Sequence, residues 1–419
     1  MPDRKSVRSL AASFVTALAV SASLFSATVP SSALASPDVS APSSTAKLVF
    51  IHHSTGEAWL QDDYGNLGAT LGASNYFASD TNYGWGPDSI GDTTDIGHWW
   101  TWFRGSSAST YTAALDAHTG INSSYTRSLA DPGGENTIIM FKSCFPNSAV
   151  DGSPADAVPA IGSNPLAGNS GPLTVGNVKG IYLDLLEYFR TRPDRMFVLV
   201  VSPPLRSADT NASQAANARY LANWLADPDG YLSGYTVGNV FVYDYYTVLT
   251  GGHHRIAGGL VEHSAGPSNY LAFPTGDSHP SAGGDRVATS EFVPMLSAAY
   301  NSWKAGTGAI LAPTMVRRAC SLSKPRVGRS TVSRKKSYRW RGSVSPAQVG
   351  ASKVSVGLYR KVRRSWRKYA TSSAKLGNGS RTWTLRLRIK KAGRYRIRVS
   401  HSDGDHRFAR SGWRYVTVK

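Results

Sequence analysis

The chain has 419 residues, of which 41% are hydrophobic, enough to bury the cores of two domains. Its two cysteines exclude a disulfide-rich scaffold, although Cys144 and Cys320 could form a single bridge. The net charge of +19 hides an asymmetry. Residues 313–419 hold 30 Lys and Arg against 2 Asp and Glu, a net charge of +28, so the rest carries 19 − 28 = −9. This shift predicts an acidic first domain over residues 47–312 and a basic second domain.

The amino-terminal segment has the pattern of a secretory signal. A basic start, an apolar stretch over residues 10–29 and an A-x-A triplet ending at Ala35 are typical of a signal peptide that is cleaved after the triplet. The alternative is an uncleaved membrane anchor, but its many Ser, Thr and Ala residues make the stretch only weakly apolar. We therefore expect residues 1–35 to be a signal peptide, residues 36–46 to be a disordered spacer, and the mature protein to be secreted, either free or associated with the cell wall.

From residue 47 the chain alternates between strand and helix patterns. Apolar runs predict strands at 47–53, 76–80, 137–142, 196–202 and 239–249. Helical periodicity is found at 178–189, 215–225 and 291–303. Near-continuous apolar strands separated by amphipathic helices predict a parallel sheet that is covered on both faces. The connections at 78–136 and 250–278 are long, and long ordered loops are usually functional.

Beyond residue 313 the pattern changes to short strands that alternate polar and apolar residues. They fall at 354–358, 383–389, 395–399 and 413–418, with glycine-bearing turns between them. This pattern predicts an all-β sandwich of about a hundred residues. It resembles the bacterial Ig-like domains that are appended to secreted enzymes.

Small and polar residues follow the predicted strands of the first domain. The first strand runs directly into His52, His53 and Ser54, and a late histidine, His279, stands two residues after Asp277. A serine hydroxyl, a histidine base, an orienting carboxylate and N–H donors are the parts that acyl transfer needs. Because ligands bind at the carboxyl ends of parallel strands, we expect these residues to meet there.

The order and strand context of these residues resemble the SGNH (GDSL-like) hydrolase family over residues 47–304. The resemblance implies a flavodoxin-like, three-layer α/β fold. It also implies that Ser54 is the nucleophile, His279 the base and Asp277 the orienting carboxylate. The oxyanion donors that it implies are Ser54, Gly84 and Asn147. Lys142 is an alternative to Asn147, because the family's Gly-x-Asn is absent here. The family's Gly-Asp-Ser is replaced by His53-Ser54-Thr55-Gly56, and the Asp stands two residues before the His instead of three.

Each of these residues also has an ordinary structural interpretation. Ser54 and Asp277 could cap helices, and Asn147 lies in Pro-Asn-Ser, a turn signal. A metal site is the competing chemistry, with imidazoles from His52, His53, His98, His253, His254, His263 and His279. No HExxH or Cys/His ligand spacing is present, so we expect no metal and no cofactor.

An aromatic loop and the basic tail complete the predictions. Tyr83, Trp85, Trp99 and Trp100, with His53 beside the nucleophile, are expected to bind a sugar ring, which presents apolar faces and polar edges. The alternative is that the loop folds as its own hydrophobic cluster.

In the tail, five arginines are expected to share one face of paired strands and to bind anionic cell-envelope polymers: Arg386, Arg388, Arg394, Arg396 and Arg398. The alternative is a solvated basic face that gives only solubility, and we expect no physiological nucleic-acid partner. Together the patterns predict a secreted serine esterase that acts on acylated, for example O-acetylated, carbohydrate. The alternative function is a non-catalytic glycan or cell-wall binding protein on the same scaffold.

Overall fold

The computed structural model of the chain describes residues 36–307, 320–345, 352–376, 380–401 and 408–419. The predicted signal peptide and the predicted boundary at residues 312 and 313 lie outside these ranges.

A five-stranded parallel sheet organises the first region. Its strands are β1 Ala46–Ile51, β2 Tyr76–Thr81, β3 Ile138–Lys142, β4 Met196–Val200 and β5 Val240–Tyr243. Their order across the sheet is β2-β1-β3-β4-β5, with every neighbouring pair parallel. In a doubly wound sheet of this order, the connections leave β1 and β3 in opposite directions, which opens a crevice at the carboxyl ends of these two strands.

Helices cover both faces of the sheet. They are α1 Thr55–Leu60, α2 Leu67–Ala73, α3 His98–Arg104, α4 Ala108–Ala117, α5 Val175–Arg190, α6 Ala212–Ala226, α7 Tyr245–Leu249 and α8 Ala282–Lys304. Val49 and Ile51 pack with α3 to α6, whereas Leu48 and Phe50 pack with α1, α2, α7 and α8. Alternate residues of each strand therefore enter opposite cores, which explains the near-continuous apolar runs and confirms the predicted parallel sheet.

The predicted run 239–249 is not one strand. It splits into β5 and α7 at Asp244, whose side chain accepts a hydrogen bond from the Thr247 N–H at 2.8 Å. The cap turns the chain into a helix although the apolar pattern continues unbroken. The predicted helices 178–189 and 215–225 lie within α5 and α6.

The two long connections contain structure of their own. Residues 78–136 hold α3, α4 and a 3₁₀ turn at Pro87–Asp92, and residues 250–278 hold an antiparallel hairpin of β6 His253–Ala257 and β7 Leu260–Ser264. Shorter 3₁₀ turns lie at Phe145–Ser148 and Ala167–Asn169. No helix in the described part of the chain is long and apolar enough to cross a membrane.

The predicted disordered spacer is held against the first region. Asn75 Nδ2 donates to the Pro42 carbonyl at 2.7 Å, and Asn301 Nδ2 donates to the Ser40 carbonyl at 3.0 Å. These bonds satisfy backbone carbonyls that a Ser/Pro-rich composition alone leaves to water, so the segment is ordered where the sequence predicted disorder.

The second region is all-β, with two sheets that share one core. Its strands are β8 Ser321–Leu322, β9 Thr331–Val332, β10 Tyr338–Ser345, β11 Ser352–Val362, β12 Ser365–Leu376, β13 Thr382–Leu387, β14 Gly393–His401, β15 Ala409–Arg410 and β16 Arg414–Val418. One sheet has the order β13-β10-β8 and the other β12-β11-β14-β16-β9, with β15 added to β14. Trp340 and Trp383 of the first sheet and Val356 and Ile397 of the second belong to the same buried cluster.

The prediction that five arginines share one face of paired strands is wrong. Arg386 lies on β13 with Arg388 just after it, whereas Arg394, Arg396 and Arg398 lie on β14. Those two strands belong to different sheets and do not pair. Period-two alternation predicts which residues share a face of one strand, but it does not predict which strands are neighbours.

Candidate active site

Ser54 lies in the sharp turn between β1 and α1. Its backbone has φ 39° and ψ −94°, a combination that residues with a side chain rarely adopt. Such strain costs about 1–3 kcal/mol and is concentrated at functional sites. The Ser54 side chain makes no capping hydrogen bond to α1, so the helix-cap interpretation has no support. A strained serine between a strand and a helix has the arrangement of a nucleophile elbow, which exposes the hydroxyl at the sheet edge.

The turn brings the residues on either side of Ser54 into close contact. A Cβ at Gly56 would stand 2.4 Å from the Cβ of His52, so there is no space for a side chain. His52 is held in place, because it is fully buried and its Nε2 lies 3.1 Å from Asp80 Oδ2. Burial raises the pKa of Asp80, but hydrogen bonding to His52, with smaller contributions from other groups, outweighs this and leaves the pKa below its usual value. The glycine is therefore required by packing.

Ser54, His279 and Asp277 form a continuous series of hydrogen bonds. Ser54 Oγ lies 2.6 Å from His279 Nε2, and His279 Nδ1 lies 2.9 Å from Asp277 Oδ1. The same carboxylate oxygen accepts the His279 backbone N–H at 2.8 Å, and these two bonds lower the pKa of Asp277. An ionised Asp277 favours the tautomer with a proton on Nδ1, which leaves Nε2 to accept the serine proton. The cap of α8 is Ser281, so Asp277 is not a helix cap.

The loop that carries Asp277 is fastened on both sides of it. Arg206 Nη1 donates to the carbonyl of Gly276 at 2.5 Å, and Ser278 Oγ donates to Asp209 Oδ2 at 2.6 Å. The carboxylate itself is open to solvent, with 56% of the Asp277 side chain exposed. An exposed carboxylate is screened by water, so it orients the imidazole with less energy than a buried one.

Two of the predicted oxyanion donors already have carboxylate partners. The Gly84 N–H donates to Asp92 Oδ1 at 2.8 Å. Asn147 Nδ2 donates to Asp95 Oδ1 at 2.5 Å, while the Asn147 side-chain oxygen accepts the Ile96 N–H at 2.7 Å. Each group would have to exchange its partner before it could bind an oxyanion.

Lys142 is buried beneath the elbow. Its Nζ donates to Thr55 Oγ1 at 2.5 Å, one residue after the predicted nucleophile, and burial lowers its pKa. Cys144 Sγ lies 3.6 Å from the same hydroxyl, and no disulfide joins it to another described residue. Nearby, burial raises the pKa of Asp285 to about 7, with partial offset from the Tyr245 hydrogen bond and the charge of Lys142. Lys142 therefore supports the turn from below rather than standing free as an anion donor.

Tyr83 is the predicted substrate-binding ring that offers an exposed face. It is 62% exposed and stacks on His53 with a centroid distance of 4.1 Å and an interplanar angle of 17°. His53 is fixed by a 2.8 Å hydrogen bond between its Nδ1 and Thr94 Oγ1 and by a second bond to the Gly91 carbonyl. Burial lowers the pKa of His53, so the ring is a neutral part of the wall beside Ser54.

The predicted substrate-binding tryptophans lie in the hydrophobic core or pack against it. Trp99 is 1% exposed and donates to Ser143 Oγ at 2.8 Å, so it has no face for a sugar. Trp85 stacks on the buried Trp102 at a centroid distance of 6.0 Å, and Trp100 packs partly buried against the same cluster. The hydrophobic-cluster alternative describes this loop, because its own rings bury one another.

The candidate metal-binding histidines are spread over several environments. Five of them lie apart from one another or have other partners: His52, His53, His98, His253 and His279. His254 and His263 instead face the same carboxylate, Asp244. Burial lowers the pKa of His254 to about 4, so its imidazole is neutral.

The sequence analysis missed this convergence, although a signal for it was present. Gly258-Gly259 is a glycine pair, which is a sequence signal for a two-residue hairpin turn, and both residues have the positive φ that such a turn requires. A turn centred on them places His254 directly opposite His263. The third member, Asp244, could not be added without knowing where the apolar run ends.

Comparisons with known proteins give no family. No family model matches the chain, and no curated protein matches its sequence. Among solved structures, superoxide reductase (neelaredoxin) from Ignicoccus hospitalis is 15% identical, with 23% of this chain and 82% of that chain covered and a TM-score of 0.18. A CARDB domain in complex with di-metal ions from Pyrococcus furiosus is 16% identical over 24% of this chain and 93% of that chain, with a TM-score of 0.16.

A β-glucosidase from Listeria innocua in complex with glucose is 10% identical, with 92% of this chain and 48% of that chain covered and a TM-score of 0.21. Likenesses at these TM-scores carry no argument about the fold or the function of this chain.

Proposed function

We propose that the chain is a serine esterase that cleaves acyl esters through a covalent acyl-enzyme. The observation that carries the proposal is the hydrogen-bonded series Ser54–His279–Asp277, with the serine in a strained turn at the carboxyl end of β1. The strand order supports the proposal, because sheets of this order are expected to bind ligands at the carboxyl ends of β1 and β3, and Ser54 follows β1. Nucleophile, base and orienter are joined at distances at which a proton can pass.

The reaction follows from these contacts. His279 Nε2 takes the Ser54 Oγ proton while the oxygen attacks the ester carbonyl and forms a tetrahedral oxyanion. The intermediate collapses, the bond to the alcohol breaks, and His279 returns the proton to the leaving oxygen. Water then attacks the acyl-enzyme with the same base, which releases the acid and restores the serine. The Ser54 N–H is the oxyanion donor we favour, because Gly84 and Asn147 already serve carboxylates.

The proposal includes the resemblance to SGNH hydrolases and a flavodoxin-like fold. The strand order 2-1-3-4-5 and the position of the serine after the first strand support it. The proposed substrates are acyl, for example O-acetyl, esters on carbohydrate, with Tyr83 as the exposed ring nearest to the elbow. The alternative of a purely glycan-binding protein loses support from Trp99, which lies in the core.

We further propose that the protein is secreted and that residues 313–419 form an Ig-like domain that holds it to anionic cell-envelope polymers. The composition of this region supports the proposal, since its 30 cationic residues face only 2 acidic ones. Association with a surface of acylated polymer would raise the local substrate concentration for the esterase.

The test is hydrolysis of p-nitrophenyl acetate by the mature chain, together with labelling by a fluorophosphonate, which bonds to an activated serine with loss of fluoride. We expect turnover and a single label on Ser54, and both should vanish in Ser54→Ala. Ser290→Ala removes an exposed hydroxyl from α8 and is the matched control, expected to behave as wild type. Absence of labelling in a folded wild-type chain, or turnover that survives Ser54→Ala, would overturn the proposal.

A further inference from the structure

The β6–β7 hairpin presents two buried histidines on one face. His254 and His263 are directly opposed in the antiparallel register, and they are 2% and 5% exposed. Opposed residues on neighbouring strands project their side chains to the same side. Their ring centroids are 5.7 Å apart, at an interplanar angle of 87°. The hairpin therefore fixes two imidazoles as a pair.

Asp244 completes the cluster from the end of β5. Its Oδ1 is occupied by the cap of α7, where it accepts the Thr247 N–H. Its Oδ2 is fully buried and has no hydrogen-bond partner among the described residues, and the same is true of His254 Nδ1. A buried carboxylate oxygen without a partner is costly, so a group that neutralises it would stabilise the fold.

The spacing of the three ligand atoms suits a metal ion better than a hydrogen bond. Asp244 Oδ2 lies 4.0 Å from His254 Nδ1 and 3.7 Å from His263 Nδ1, too far for hydrogen bonding. One ligand atom from each residue lies within 4.8 Å of the others. In a tetrahedral zinc site with bonds of about 2.0–2.2 Å, ligand atoms stand about 3.3–3.6 Å apart. A contraction of a few tenths of an ångström would bring Asp244 Oδ2 to this spacing from each imidazole, and the two imidazole nitrogens, at most 4.8 Å apart, would have to approach each other by no more than about 1.5 Å.

We propose that Asp244, His254 and His263 bind one divalent transition-metal ion, with zinc as the preferred ion, and that this ion fastens the β6–β7 hairpin to the carboxyl end of β5. Two imidazoles and a carboxylate are a ligand set that such ions favour over magnesium or calcium, which prefer oxygen ligands alone. The site shares no residue with Ser54, His279 or Asp277, so the ion stabilises the fold and takes no part in ester cleavage.

The ligands stand on elements that are already held in place. Glu291 of α8 accepts the His254 backbone N–H at 3.1 Å and bonds His253 Nδ1 at 2.8 Å. The hairpin is thereby tied to the helix through the strand residue next to the ligand. A preformed cluster of this kind binds a metal without large rearrangement, since the second shell fixes the backbone that carries the ligands.

The test uses the untagged, mature full-length chain, first stripped of metal with a chelator and dialysed. Titration with zinc chloride, followed by calorimetry, should show one tight site per chain, and elemental analysis should recover one equivalent. Zinc should raise the midpoint of thermal unfolding by several degrees, because it binds the native state. His254→Ala should weaken binding at least about a hundredfold and should abolish the zinc-dependent shift.

His98→Ala is the matched control. It removes a histidine of α3 that is not part of the cluster and touches none of its ligands, so zinc binding should remain as in wild type. Asp244→Asn keeps the shape and the α7 cap, and it tests the site if an alanine variant fails to fold. The proposal is overturned if wild type binds no zinc, or if His254→Ala and Asp244→Asn bind it as tightly as His98→Ala does. Loss of esterase activity plays no part in this test, so its outcome is independent of the proposed function.

Discussion

The two regions of the molecule use charge in opposite ways. In the α/β region ionisable groups are buried in specific pairs, such as Asp80 with His52, and Arg195 with Asp116 at 3.1 Å. In the all-β region the only two acidic residues, Asp403 and Asp405, lie outside the described residues. Two carboxylates cannot pair with 30 cationic side chains, so most of these cations need other partners. The first region buries ionisable side chains in pairs that fix their positions, whereas the second region carries a surplus of cationic side chains.

The arginines of β14 show what replaces the missing carboxylates. Arg396 lies 4.2 Å from the Trp413 ring centroid and 5.1 Å from that of Trp366. Arg398 lies 4.5 Å from the Trp413 ring. Stacking occupies the faces of a guanidinium and leaves its terminal N–H groups able to donate to an external anion, although the Nε of Arg396 is itself buried. The aromatic partners thus organise a cationic surface without neutralising it.

The largest expected effect concerns the hydrogen-bonded series of Ser54, His279 and Asp277 in the first region. His279→Ala should reduce turnover of p-nitrophenyl acetate by several orders of magnitude, about as much as Ser54→Ala. The double variant should be no slower than either single variant, because the two residues act in one step. Steady-state kinetics with all three proteins will show this, and losses that multiply would mean that the two side chains act separately.

A smaller loss is expected at the exposed end of the series. Asp277→Asn should reduce turnover about ten- to a thousandfold, less than His279→Ala, because 56% of the Asp277 side chain is exposed and solvent already screens it. The kinetic assay above provides the measurement. A loss below tenfold would assign the orienting role to a different group.

The surplus of cationic side chains in the second region predicts salt-sensitive binding to anionic cell walls. Arg398→Glu in the full chain should weaken binding to teichoic-acid-bearing cell walls several-fold and leave ester hydrolysis unchanged. Binding of wild type should fall steeply between about 50 and 500 mM salt, as the Debye length shortens to a few ångströms. Lys304→Glu makes the same charge change at the end of α8 and should have little effect on co-sedimentation with the walls. Equal effects of both variants would show that only net charge matters.

The smallest effect concerns the buried Asp285 below the elbow. Its pKa is raised from 3.8 to about 7, so the folded protein holds this proton more tightly than the unfolded chain does. Its contribution to stability is therefore present below about pH 4, falls as the pH rises to about 7, and stays lost above that. Asp285→Asn removes this titration. As the pH rises from 5 to 8, the free energy of unfolding of wild type should therefore fall relative to that of the variant, by on the order of 1 to 3 kcal/mol.

Urea unfolding followed by tryptophan fluorescence at the two pH values measures this change. Asp229→Asn, at an exposed turn, is the control and should follow wild type at both pH values. Parallel pH dependence in wild type and Asp285→Asn would show that the buried carboxyl does not titrate in this range.

The sequence predicted the sheet better than its surroundings, for physical reasons. Buried parallel strands must be apolar along their whole length, so residues 137–142 and 196–202 were visible as runs. Where a polar cap decides the structure, as at Asp244, the apolar pattern carried no information about the break. The series of Ser54, His279 and Asp277 was predicted from the order of these residues along the chain and from the family resemblance. Strand convergence explains the position of Ser54 after β1, but His279 and Asp277 lie in the loop before α8, which no strand pattern positions.

Partner choice could not be predicted from composition. The side-chain amide of Asn147 donates a hydrogen bond to a carboxylate, and the rings of Trp99 and Trp102 are buried in the core. In both cases the partner is distant in sequence, so the sequence pattern does not identify it. The same limit hid the pairing of β13 with β10, which separates Arg386 from the arginines of β14. The period-two pattern of a strand predicts which of its residues share a face, but only the three-dimensional fold shows which strand is its neighbour.

The strained backbone of Ser54 has a consequence for how this protein can change. Glycine adopts positive φ far more readily, so Ser54→Gly should relieve part of the strain of about 1–3 kcal/mol while removing the hydroxyl. The residue expected to give higher thermal stability at this position, glycine, thus lacks the hydroxyl that the proposed ester cleavage needs. Selection for heat resistance alone would drift away from serine, and retention of Ser54 under such selection would itself indicate that the hydroxyl is in use.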